Sequence, residues 1–247
     1  RWWAPVGARG ACGWLRGGPL MGDFVDLDGS GGARGYVAIP ESGQGPGVLV
    51  LQEWWVLNPQ IMGVTEMMAA KGFVAMAPDL YRGELAGHDE MDRAGHLMTT
   101  LAPERAVGDM SAAVDYLTAH EATTGSGIGA IGFCMGGLMT FMVAATRGDV
   151  VKAAVPFYGY PAGGEPDWEG LSAVIRGHFA EDDEHFPSAG ARDMERRLQE
   201  MGKDIHISFH DAAHAFMNEE DPFGIYDQGL AGELWPQVLE FLHAPLG

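Results

Sequence analysis

Between residues 128 and 147 the chain leaves an apolar strand and enters a helix through Gly132-Phe133-Cys134-Met135-Gly136-Gly137, and no other stretch constrains the fold as strongly. Ile-Gly-Ala-Ile-Gly-Phe at 128–133 reads as a short buried strand, and 135–147 as the helix that follows. A turn this tight between two packed elements needs small flanking residues. Gly132 and Gly136 therefore stand where the glycines of a Gly-x-Ser-x-Gly nucleophile elbow stand, with a thiol in the serine's place. Such an elbow holds its central residue in strained backbone and offers it to the first turn of the helix, whose dipole and unpaired N–H groups favour a thiolate. The competing reading of Cys134 is a buried core cysteine, but that reading gives no reason for glycines on both sides.

The same strand-to-helix alternation runs through the rest of the chain. Strands are predicted at 23–28, 34–39, 47–52, 73–77, 128–133, 151–157, 172–179 and 205–209, and helices at 59–71, 103–121, 135–147, 188–201 and 229–243. Short strands rich in Val, Ile and Leu, separated by amphipathic helices, imply an α/β fold with a mostly parallel central sheet covered by helices on both faces. Pro187 and Gly202 punctuate one helix at its start and end. With 247 residues, no internal repeat and no composition break after residue 22, one large domain over 23–247 is expected.

Composition narrows the partners. A net charge of −19 opposes nucleic acid and anionic membranes. No stretch approaches the roughly 18 apolar residues of a membrane helix. Cys12 and Cys134, the two cysteines, sit in unrelated contexts, so no disulfide is expected and a reducing, cytoplasmic setting is the simpler reading. Residues 1–22, rich in Trp, Gly and Arg, lack the apolar run of a signal peptide and read as a disordered extension, with Met21 an alternative start. The oligomeric state is open between a monomer and a small homo-oligomer.

Three further strings join the elbow: Gln52-Glu53-Trp54-Trp55, Ala77-Pro78-Asp79-Leu80-Tyr81-Arg82 and Ala213-His214-Ala215-Phe216. In this order and approximate spacing they resemble the dienelactone hydrolase family, cysteine-dependent relatives of the α/β-hydrolases, from about residue 23 to 243. The resemblance implies an α/β-hydrolase fold with little or no lid domain. It also implies hydrolysis of a small carboxylic ester or lactone, of the carboxymethylenebutenolidase type, through a Cys-His-Asp triad and a thioester, with no cofactor.

Chain order in α/β-hydrolases runs nucleophile, acid, histidine, each on a loop after a strand. His214 follows the last predicted strand, where an imidazole can take the thiol proton and return it to a leaving oxygen; a surface loop histidine is the plainer alternative. The acid belongs in Ala180-Glu181-Asp182-Asp183-Glu184-His185-Phe186-Pro187. The resemblance selects Asp183, four residues before the proline, with Asp182 the alternative and a solvated, helix-capping loop the plain reading. By resemblance the oxyanion donors are the backbone N–H groups of Trp54 and Met135, and Glu53 is an auxiliary base acting on the thiol. Glu53 also fits a solvated charge at a strand end.

Arg82 can anchor a substrate anion through paired N–H donors or form an ordinary salt bridge. Trp54, Trp55, Tyr81 and Phe216 supply apolar walls or belong to the core. Where the family's prototypes carry a second arginine four residues after the histidine, this chain has Asn218, which weakens the case for an anionic lactone as its substrate. His206 and His210 share a strand face without Cys or His partners at metal-ligand spacing, and His88, His96 and His120 lie in acidic segments, so no metal site is expected.

Two other classes compete. Gly127-Ile128-Gly129-Ala130-Ile131-Gly132 matches the Gly-x-Gly-x-x-Gly dinucleotide fingerprint of an NAD-dependent oxidoreductase, but its apolar residues are needed as strand rather than turn. A non-catalytic small-molecule-binding protein on the same fold is the second alternative, since fold does not fix function.

Overall fold

The computed structural model describes residues 22–27, 31–220 and 222–246. Residues 1–21 of the predicted extension, Cys12 among them, lie outside these. Eight strands form one sheet in the order β1-β2-β4-β3-β5-β6-β7-β8. They are β1 (Asp23–Asp26), β2 (Arg34–Ala38), β3 (Gly45–Leu51), β4 (Val74–Pro78), β5 (Thr123–Phe133), β6 (Val151–Phe157), β7 (Val174–Asp182) and β8 (Ile205–Ala213). The β1–β2 and β2–β4 pairs are antiparallel and all others parallel. The helices are α1 (Pro59–Ala70), α2 (Met91–Thr100), α3 (Pro103–Ala119), α4 (Met135–Thr146), α5 (Ser188–Glu200) and α6 (Gln228–Leu246).

The central strands are apolar at nearly every position because both faces are covered. Val48, Val50, Ala75, Ile131, Phe133 and Val155 pack under Ile61 and Met68 of α1 and Trp235 and Leu242 of α6. Their neighbours in sequence, Leu49, Leu51, Val74, Met76, Ala130 and Ala154, face Met110 and Val114 of α3, Phe141 of α4 and Met194 of α5. One residue of slippage would exchange these sets, so the pleat fixes the register. α1 starts where Asn58 Oδ1 accepts from the Ile61 N–H at 3.0 Å and Pro59 takes the first helical position.

Sequence and structure differ in two respects. α2 was not expected: its apolar residues Met91, Ala94, Leu97 and Met98 follow helical spacing, but Gly95 and two threonines dilute the pattern and only Ala94 is buried. β5, β7 and β8 also outrun their predicted limits. The Gly-Ser-Gly at 125–127 is recruited into β5, and the polar ends of β7 and β8 continue pairing as far as Asp182 opposite Ala213. The whole Gly-x-Gly-x-x-Gly string therefore lies within β5, without the turn that a dinucleotide fingerprint requires.

Candidate active site

β5 ends at Phe133 and α4 begins at Met135, so Cys134 alone makes the turn, at φ 55° and ψ −117°. Nothing larger than hydrogen fits beside it. A Cβ on Gly132 would overlap the Gly136 carbonyl, and one on Gly136 would strike the carbonyls of Leu51 and Gln52 at the end of β3. The Cys134 N–H donates to the Phe157 carbonyl at 3.1 Å, tying the elbow to β6. Three more non-glycine residues hold left-handed backbone just after strands: Arg82 (φ 53°) after β4, Tyr158 (φ 34°) after β6 and Ala215 (φ 64°) after β8.

The lengthened β7 and β8 decide the next pair. Because these neighbouring strands end in register, Asp183 and His214 leave the sheet side by side, and His214 Nδ1 lies 2.8 Å from Asp183 Oδ2. The other carboxylate oxygen of Asp183 accepts from the N–H groups of His185 (2.9 Å) and Phe186 (2.8 Å), and its side chain is fully buried. Asp182 is the last residue of β7 and is exposed. The His214 ring stacks on Phe186 and meets the edge of Tyr158.

Glu53 follows β3 and is buried rather than solvated. Its Oε2 accepts from Asn218 Nδ2 at 2.6 Å and its Oε1 lies 3.5 Å from the Tyr158 hydroxyl. Burial pushes its carboxyl up to about 7, against the pull of the His214 imidazole and of the bond from Asn218. Asn218 thus holds Glu53. Its Oδ1 accepts from the Glu220 N–H.

Cys134 is partly exposed, and its sulfur lies near the backbone N–H groups of Met135 and Trp54, which pull the thiol down. Enclosure and the nearby Glu53 carboxyl push the thiol well up, outweighing these donors. The pull of the helix terminus toward a thiolate is therefore opposed by burial and by Glu53. Among the described residues no hydrogen bond joins the sulfur to His214. The Tyr81 hydroxyl donates to the Trp54 carbonyl at 3.1 Å and lies 3.5 Å from the side-chain sulfur of Met135.

The remaining residues singled out in the sequence have protein partners. Arg82 makes a two-pronged contact with Asp109 (2.6 and 3.1 Å), whose side chain is buried, and donates to the Gly31 carbonyl at 2.8 Å. Trp55 is buried against Trp54 and His88, and Phe216 is buried against Phe157 and Tyr158, while Trp54 remains partly exposed. Two features of the surroundings were not anticipated. Tyr158, at the end of an apolar strand, carried no polar signal in the sequence. His210 does have a histidine partner: His178 on the adjoining strand, 3.2 Å away, stacks on Phe157 and is held down to about 4 by burial first and His210 second. Among the described residues no group of three or more His, Cys, Asp or Glu could hold a metal ion. No helix among them is long and apolar enough to cross a membrane.

A sheet of this order, with an elbow after β5, an acid after β7 and a histidine after β8, has the architecture of the α/β-hydrolases. The profile of the Dienelactone hydrolase family matches residues 33–246, and the chain belongs to that family. It is 34% identical to Protein usf of Aquifex pyrophilus over 229 residues, covering 90% of this chain and 97% of that one. It is 31% identical to a carboxymethylenebutenolidase of a Pseudomonas sp. over 215 residues, covering 82% and 88%. Among solved structures, m3DLH superposes with a TM-score of 0.81 at 22% identity over 93% of this chain and all of the other. A dienelactone hydrolase-like promiscuous phosphotriesterase from metagenomic libraries gives 0.79 at 22% identity, covering 92% and 99%; at such identities the likeness is one of fold. The chain is a dienelactone hydrolase-like hydrolase.

Proposed function

We propose that residues 23–247 form one catalytic domain that hydrolyses small carboxylic esters or lactones through a thioester on Cys134, with His214 as proton shuttle and Asp183 as its orienting acid. The observation that carries the reading is the 2.8 Å contact between buried Asp183 and His214 Nδ1 at the same strand ends as the Cys134 elbow. The carboxymethylenebutenolidase relative lends the lactone.

The first step is transfer of the thiol proton, by way of Glu53, whose carboxyl near 7 makes it a base of suitable strength, to His214 Nε2, leaving a thiolate and an imidazolium. The N–H groups of Trp54 and Met135 then receive the substrate carbonyl oxygen, each such donor contributing roughly 3 kcal/mol to the transition state. The sulfur bonds to the carbonyl carbon, the C–O bond breaks, and protonated His214 supplies the leaving oxygen with a proton. Water, deprotonated by His214, cleaves the thioester and releases the acid. A free thiol nucleophile fits a reducing, cytoplasmic setting.

The test is Cys134→Ala, assayed on a panel of lactones and short-chain p-nitrophenyl esters with circular dichroism as the fold control. Turnover is expected to vanish with the fold intact, and quenched wild-type enzyme is expected to carry the acyl mass on the peptide containing Cys134. Wild-type turnover in the alanine variant would overturn the mechanism.

A further inference from the structure

A cavity of about 360 Å³ opens between the segment after β4, α2 and the first turn of α3, lined by Tyr81, Glu84, Arg93, His96 and Arg105 among others. It adjoins the site through Tyr81, which lines the cavity and whose hydroxyl donates to the Trp54 carbonyl and lies 3.5 Å from Met135 Sδ. That hydroxyl lies within electrostatic reach of both Arg105 and the Cys134 sulfur.

The cations nearby differ in one respect. Arg82 is committed to Asp109 and the Gly31 carbonyl. Arg93 is paired with Glu84 at 2.8 Å and donates to the Leu85 carbonyl. Arg105 has no ion-pair or hydrogen-bond partner among the described residues, and its Nε is buried without an acceptor. In a chain of net charge −19 an unpaired guanidinium is unusual, and a buried N–H left unmet costs free energy that a bound acceptor would recover. The guanidinium fork suits a carboxylate better than a neutral ester oxygen.

We propose that Arg105 is the specificity-determining anion anchor of this enzyme, receiving a carboxylate carried by the ester or lactone whose carbonyl is held at Trp54 and Met135. The proposal rests on the esterase reading above and names the substrate class within it. It supplies from α3 the anchor that Arg82 and Asn218 do not provide, because both are occupied by the protein.

The test compares two substrates of equal chain length, p-nitrophenyl hydrogen adipate and p-nitrophenyl hexanoate, in wild type, Arg105→Gln and Arg105→Lys. The ratio of kcat/KM for the anionic over the neutral ester is expected to fall about ten- to a hundred-fold in Arg105→Gln, mainly through KM, the range a charge-assisted hydrogen bond supports. Arg105→Lys is expected to recover part of the ratio, keeping the charge but not the fork. An unchanged ratio in both variants, or an equal fall for both esters, would overturn the proposal. If Arg105→Gln fails to fold by circular dichroism, the lysine variant decides, a wild-type ratio counting against the anchor. Should wild type hydrolyse neither ester, the esterase reading fails instead. Calorimetry with adipamate, which cannot be turned over, then decides the anchor: a Kd weakened ten-fold or more by Arg105→Gln supports it and equal affinity refutes it.

Discussion

Replacing Asp183 with asparagine removes one charge and reverses one hydrogen bond while leaving volume unchanged. The buried carboxylate has two separate duties, Oδ1 accepting from the N–H groups of His185 and Phe186 and Oδ2 facing His214 Nδ1. An asparagine must choose which end of its amide faces which partner. Turning its NH2 toward the two backbone donors would forfeit two hydrogen bonds of about 1 kcal/mol each and press donor against donor, so the oxygen stays there and the NH2 meets His214. His214 Nδ1 must then be an acceptor, which moves the ring proton to Nε2, the nitrogen that has to take the thiol proton. With the wrong tautomer favoured and no anion to support the imidazolium, kcat is expected to drop by about 10⁴-fold with little change in KM. Stopped-time hydrolysis of a neutral p-nitrophenyl ester measures this, with the unfolding midpoint as the structural control. Asp182→Asn, altering an exposed strand-end residue, is expected to stay within about two-fold of wild type. A loss below ten-fold for Asp183→Asn, or equal losses for the two variants, would refute the assignment.

Glu53→Gln is expected to stabilise the fold in a pH-dependent way. With the folded carboxyl at about 7 against an ordinary 4.5, the unfolded chain gives up this proton across that window while the folded chain keeps it. Stability therefore falls as pH rises from 4.5 to 7 and stays lower above it by on the order of 3 kcal/mol. Glutamine avoids that loss and can still accept from Asn218, so its Tm should exceed wild type at pH 8 and converge with it toward pH 4.5; equal Tm values at pH 8 would contradict this. Arg82→Ala is expected to act on stability, because it strands the buried Asp109 carboxylate: calorimetry should show Tm lower by about 5 °C or more. Neutral and anionic esters should lose activity by the same factor, and a selective loss for the anionic ester would restore Arg82 as a substrate anchor.

The sheet was legible because its inner strands are buried on both faces and so spell continuous apolar runs, and because Gly132 and Gly136 have no role outside a tight turn. The polar ends of β7 and β8 were not legible: Glu181, Asp182 and Asp211 look like loop, and only pairing with a neighbouring strand makes them strand. α2 escaped for a related reason, since a helix that buries one alanine needs little apolar pattern. Charges were harder to read. The sequence left Arg82 between an anion anchor and a salt bridge and Glu53 between an auxiliary base and a solvated charge, and the pairings with Asp109 and Asn218 join residues 27 and 165 positions apart. That Arg105 has no partner among the described residues could not be recognised before the partners of its neighbours were known.

Four strands leave the sheet through residues in left-handed backbone, at Arg82, Cys134, Tyr158 and Ala215. Each such residue would relax elsewhere in conformational space if released, at a gain of about 1 to 2 kcal/mol. No stretch of the chain has a local reason to keep its part of the site, and a peptide excised around Cys134, Asp183 or His214 would hold none of its geometry. The site is a collective property of the assembled sheet, so catalytic activity reports on folding itself: it cannot outlast the strand pairing that holds these four turns against their own preference.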